Sequence, residues 1–186
     1  MAVMTLPEGY QEIRRLDIKA DKKLVVGLNV LSVAIAFLLL AVGVFLRPII
    51  TLTSDIAMLL KMCGLLVTLM LYLVLHELVH GVCFRWYSGK RPRYGFTGLF
   101  AYASGQGYYS RSEYMVIGLA PVVVFGVVFG LLCALLPSEW FWWVYFMQVM
   151  NLSGAAGDFY LCWLFWRMPR DTLAGDEGVT MIFYAR

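Results

Sequence analysis

The chain has 186 residues, of which 61% are hydrophobic and 15% charged, with a mean hydropathy of +0.75. Soluble globular chains are nearer half apolar and a quarter charged, so the composition argues against a soluble domain and for one compact helical domain in a membrane. The formal charge of +3 is too small to suggest nucleic acid, and the four cysteines (Cys63, Cys83, Cys133 and Cys162) lie in apolar sequence without C-x-x-C pairing, as small packing residues and not a disulfide framework.

Residues 1–23, charged from Glu8 onward, read as a polar cytoplasmic arm. They are too charged, and the apolar run that follows is too long, for a cleavable signal peptide. Hydropathy then predicts four spans. The first covers Leu24 to Leu46 and is closed by Arg47-Pro48. The second covers Ile56 to Tyr87 and is longer than the ~20 residues needed to cross. The third covers Tyr114 to Leu136 and stops at Pro137, and the fourth covers Trp140 to Trp166 and stops before Pro169. The expected fold is an all-α membrane protein, a four-span transmembrane helical bundle over residues 24–166.

Between the second and third spans, residues 88–112 mix helix-breaking Gly89, Gly95, Gly98, Gly105 and Gly107 with strand-favouring Tyr94, Phe96, Phe100, Tyr102, Tyr108 and Tyr109. A β-hairpin loop dipping into the membrane is the expectation, its edge pairing with an extended substrate. An ordinary interfacial loop with aromatic anchors is the equal alternative. Residues 167–186 form a tail in which Val179–Tyr184 reads as a strand.

Lysine and arginine set the orientation. The arm carries Arg14, Arg15, Lys19, Lys22 and Lys23, the middle loop Arg85, Lys90, Arg91, Arg93 and Arg111, and the tail Arg167, Arg170 and Arg186. Only Arg47 and Lys61 lie on the other side, so the positive-inside rule puts both termini in the cytoplasm.

Both histidines of the chain fall in His76-Glu77-Leu78-Val79-His80, an H-E-x-x-H string inside the second span. On a helix, residues four apart share a face, so His76 and His80 can hold one zinc ion while Glu77 reaches a bound water. Ionisable groups inside a span are expensive and point to function. A catalytic zinc needs a third protein ligand, and no third histidine exists. Away from span ends, where Glu113 and Glu139 lie, Asp158 is the other carboxylate of the spans. At 1.5 Å per residue, His76 lies about 30 Å and Asp158 about 27 Å from the outer starts of their spans, which is the same depth. Cys83, three residues past His80, is an alternative ligand, although a buried cysteine is more often packing. Ser153 to Gly157 are all small, and are expected to let the fourth span approach the second until Asp158 reaches the metal.

This pattern, H-E-x-x-H followed in a later span by Asn151 and Asp158, resembles the site-2 protease class of intramembrane metalloproteases. More narrowly, the chain resembles the small bacterial membrane proteins grouped as putative zincin peptidases. Gly81 after the second histidine, the aromatic stretch from Tyr94 to Tyr109, the Gly118-Leu119-Ala120-Pro121 element and the Asn151-to-Asp158 interval carry the resemblance over most of residues 56–166. The chain departs from the site-2 protease pattern in lacking prolines between Asn151 and Asp158 and a glycine after Asp158.

The resemblance implies a zinc endopeptidase of the bacterial cytoplasmic membrane, cutting membrane-embedded or membrane-proximal protein or peptide substrates in contact with the lipid bilayer. It implies His76, His80 and Asp158 as ligands of Zn2+ and Glu77 as general base. Asn151 is implied either as a hydrogen-bond donor to the developing oxyanion or as the residue that orients Asp158. The expected chain carries no PDZ or CBS domain, so a separate regulatory protein is expected. A zinc-binding transporter, sensor or adaptor without proteolysis is the other class.

Overall fold

A computed structural model describes residues 1–17, 20–47, 56–98 and 101–186. Lys19, Pro48 and Phe100, used above, lie outside them. The first strand, β1 (Gln11–Asp17), leads to helix α1 (Lys22–Leu46). Asp21 starts that helix, its carboxylate accepting the Leu24 N–H at 2.9 Å. Helix α2 (Ile56–Ser88) has 33 residues, about 50 Å at the usual rise. A hairpin follows, β2 (Arg93–Phe96) with β3 (Ala101–Ser104), then a short strand β4 (Tyr108–Ser110). Helix α3 (Arg111–Leu135) begins where the Glu113 carboxylate turns back onto the Ser110 N–H at 2.9 Å.

Among the described residues, three helical stretches are long and apolar enough to cross a membrane: Lys22–Leu46, Leu59–Ser88 and Arg111–Leu135. Their outer surfaces expose Phe37, Leu38, Leu60, Val67, Val123 and Leu131, a surface suited to lipid and not to water. The expected continuous fourth span is different. After a 3-10 turn at Ser138–Trp140 the chain forms α4 (Phe141–Gly154), breaks at Ala155, and resumes as α5 (Ala156–Trp166). The two pieces have 14 and 11 residues, each short of the ~20 needed to cross alone. Gly154 and Gly157 flank the break and cost helix stability there.

The all-α expectation also needs correction. The N-terminal strand and the tail strands β5 (Leu173–Asp176) and β6 (Thr180–Ala185) join β4 in an antiparallel sheet of order β1-β6-β5-β4. Arg15 pairs with Ile182, and Ala174 with Phe183. The tail strand expected near 179–184 is β6. Of β1, Leu16 alone is fully buried, so its charged alternation hides it from a hydropathy reading. Leu16, Met181, Phe183 and Ala174 of the sheet pack with Phe84, Tyr109, Tyr114, Ile117 and Phe165. The sheet therefore caps one end of the helices, and the metal-ligand candidates lie just beneath it.

At the far end α1 rests on α4. Gly43 lies so close to the Tyr145 ring that a Cβ would collide with it, and the Tyr145 hydroxyl donates to the Leu39 carbonyl at 2.6 Å.

Candidate metal centre

Four residues at spacing four, Tyr72, His76, His80 and Phe84, make one stripe along α2. The stripe faces inward: Tyr72 is 3% exposed and His80 8%.

His80 is held by α3. Its Nδ1 lies 2.8 Å from the Ile117 carbonyl. A carbonyl accepts and cannot donate, so Nδ1 carries the proton and Nε2 keeps its lone pair. That carbonyl is available for a sequence reason. In an α-helix the Ile117 oxygen would accept from residue 121, and residue 121 is Pro121, which has no N–H. The proline frees an acceptor inside a buried helix, and the histidine takes it.

His76 is held through a longer chain. Asn151 of α4 is fully buried, and its Nδ2 donates to the Val122 carbonyl at 3.1 Å. Its Oδ1 accepts from the Tyr72 hydroxyl at 3.0 Å. Tyr72 has one proton and has given it away, so its oxygen can only accept from His76 Nδ1, 3.0 Å distant. His76 is thereby fixed with its proton on Nδ1 and its lone pair on Nε2, like His80.

The freed Nε2 atoms both face Asp158. His76 Nε2 is 3.5 Å from Oδ2, and His80 Nε2 is 3.6 Å from Oδ1. Around a tetrahedral zinc with bonds near 2.1 Å, neighbouring donors stand about 3.4 Å apart. One ligand atom from each of the three residues lies within 4.8 Å of the others. Two imidazole lone pairs and a carboxylate at these separations fit zinc. Asp158 sits in the first turn of α5, where the helix break leaves N–H groups whose partial positive charge favours a carboxylate.

Glu77 borders, with His80 and Asp158, a cavity of about 230 Å³. Its carboxylate accepts the Ala103 N–H of β3. The hairpin expected at residues 88–112 is thus present, and β3 meets the site. Among the described residues β3 pairs with β2 alone, and its Ala103 N–H is turned to Glu77.

The structure brings His76, His80 and Asp158 together, and it adds residues that the sequence did not single out. Tyr72 could have been found as the residue one turn before His76 on the same face. Asp176, half-buried on the cavity wall, comes from the tail and had no signal. Its Oδ2 accepts the Tyr114 hydroxyl at 3.2 Å and its Oδ1 the Gly178 N–H at 2.8 Å. Burial raises its pKa from 3.8 to about 7, against the lowering effect of those two hydrogen bonds. Asn151 touches Tyr72 and Val122, and Asp158 is not among its hydrogen-bond partners. Cys83 packs beside the core and is not among the clustered donors. Gly154 and Gly157 meet no neighbour that a Cβ would touch and border the cavity, so they leave room where helix contact was expected.

Searches of curated proteins and of solved structures give no match. A scan against protein families matches residues 69–173 to the family described as "Putative zincin peptidase". The matched stretch is more than half of the chain and holds Tyr72, His76, Glu77, His80, Ile117, Pro121, Asn151 and Asp158. The description implies zinc and a metallopeptidase activity, and on this match the chain belongs to the putative zincin peptidase family.

Proposed function

We propose that the protein is an intramembrane zinc endopeptidase, related in its chemistry to the site-2 proteases, and that it cuts membrane-embedded or membrane-proximal polypeptides. One observation carries this reading: His76 Nε2 and His80 Nε2 converge on the Asp158 carboxylate, and His80 and Asp158 share one cavity with Glu77. His76, His80 and Asp158 hold the ion. Zinc, when bound, acidifies its water and polarises a scissile carbonyl. Glu77 accepts a proton at its carboxylate and hands it to the leaving amine. Ile117 and Tyr72 hold the two imidazoles in the tautomer that offers Nε2. Asn151 acts through Tyr72 on His76, with its donor group committed to Val122.

The fourth crossing in this reading is α4 with α5, which together match the length of a span. The sheet end, with the arginine-rich arm, loop and tail, lies in the cytoplasm by the positive-inside rule. This puts the site near the cytoplasmic face of a bacterial membrane, where water reaches it easily. A helical substrate must unwind to expose its carbonyls, and the outer edge of β3 is the partner for the extended chain.

Zinc content of detergent-purified protein, beside Asp158→Ala and the His76→Ala/His80→Ala pair, tests the reading. About one zinc per chain is expected, with loss in both variants. Wild-type protein that takes up no zinc after reconstitution overturns it. Zinc and transport activity that both persist in Glu77→Gln would favour a transporter.

A further inference from the structure

Helix α1 is apolar from Leu24 to Leu46 except for two side chains, Asn29 and Ser32. They are three residues apart and share a face. Measured from Lys22, they lie about 10 and 15 Å along the helix, inside the hydrocarbon layer that such a helix would cross. Neither has a hydrogen-bond partner among the described residues. An amide left unpaired at that depth is unfavourable, as any polar group out of water without a partner is. Lipid gives it nothing in return, so its partner is what fills the cavity, water or a ligand that displaces it.

The same two residues line the cavity that holds Glu77, His80 and Asp158. They are not needed to fasten α1, because Gly43, Leu39 and Tyr145 join α1 to α4 at the other end. Asn29 is exposed and Ser32 half-buried. Neither is a zinc ligand by chemistry. A carboxamide offers two donors and an acceptor, and a hydroxyl offers one donor and two acceptors. That is the complement of a peptide backbone with free N–H and C=O groups. The same cavity is bounded also by Ala101 to Ala103 of β3.

We propose that Asn29 and Ser32 bind the unwound backbone of the substrate in the cavity they share with β3, and so present it to the metal centre. The proposal rests on the proteolytic reading above and names its binding surface. The substrate class is an apolar segment arriving as extended chain, with its backbone and not a particular side chain recognised at this point.

The test uses full-length protein in phosphatidylethanolamine–phosphatidylglycerol vesicles. The probe is a synthetic single-span peptide bearing a fluorophore and quencher. Asn29→Leu and Ser32→Ala are each expected to raise KM by about tenfold, with kcat and zinc content unchanged, as for lost uniform binding. A photoreactive residue at position 28, in the Glu77→Gln background, is expected to crosslink the probe, and one at the exposed Phe37 is not. Unchanged KM in both variants overturns the proposal, as does crosslinking equal at 28 and 37. Loss of zinc or of folded protein in the variants gives the pair a structural role and also overturns it. Loss of a dimer as the sole effect does so too, assigning the pair to contact between two copies. Zinc-bound wild type that cuts no single-span peptide fails earlier, at the proteolytic reading itself.

Discussion

Pro121 and Ile117 stand one helical turn apart in α3, and the carbonyl that Pro121 leaves without a helical N–H is the one that accepts His80 Nδ1 at 2.8 Å. A proline in the middle of an apolar helix thus serves a ligand on the neighbouring helix. Pro121→Ala restores an N–H that competes for the Ile117 oxygen. Zinc affinity should fall about tenfold or more, the usual effect of losing a ligand's supporting hydrogen bond. Competition with a chelator measures it, alongside circular dichroism to show that the helix persists. Zinc affinity equal to wild type would mean that the freed carbonyl does not matter.

Tyr72 makes the corresponding prediction for His76. Tyr72→Phe removes the acceptor of the His76 Nδ1 proton and leaves the ring in place. Asn151→Leu removes the group that fixes the direction of the Tyr72 hydroxyl. Each should weaken zinc binding by roughly ten- to a hundredfold. Because the two act in series, the double variant should bind zinc no more weakly than the worse single one. Additive losses would show that Asn151 reaches the site by another route. Asn151→Leu should also cost about 1–3 kcal/mol of stability, since it leaves a buried tyrosine hydroxyl without its acceptor.

The parts of this molecule that were legible in its sequence are those set by periodicity within one element. The apolar runs gave the three helices, and spacing four put His76 and His80 on one face. The rise per residue of a helix matches Asp158 to them in depth. What sequence alone could not give is pairing between distant elements. β1 carries Gln11, Glu12, Arg14, Arg15 and Asp17, and forms because β6 offers it an edge, not because its own pattern is amphipathic. The break at Ala155 was hidden because small residues in a membrane helix signal close packing as readily as interruption. Here Gly154 and Gly157 open onto the cavity. Asp176 reaches the cavity only because the tail folds back as two strands.

Glu77 separates metal binding from proton transfer. It borders the cavity and accepts the Ala103 N–H, and it is not among the clustered ligand atoms. Glu77→Gln keeps the size of the side chain and removes its basicity. Zinc stoichiometry should stay at the wild-type value while the cleavage rate falls about 10²- to 10⁴-fold. Cleavage at full rate in this variant would end the general-base assignment, and loss of zinc would make Glu77 a ligand.

Asp176 makes stability depend on pH, and the sign follows from its burial. Its carboxyl titrates near 7 in the folded protein, against an ordinary value of 3.8. Between about pH 4 and pH 7 the folded chain keeps a proton that the unfolded chain has released. Stability from this group is therefore fully present below the unfolded value and is lost as pH rises through the folded one. Asp176→Asn keeps the shape and has no proton to lose. Melting of the two proteins in detergent at about pH 5 and about pH 8 gives the comparison. Wild type should lose more stability over that interval than the variant, and parallel behaviour would mean that Asp176 is not held in an environment that disfavours its charge. The same carboxyl borders the cavity beside Glu77, and its nearness to that acid contributes to the upward shift.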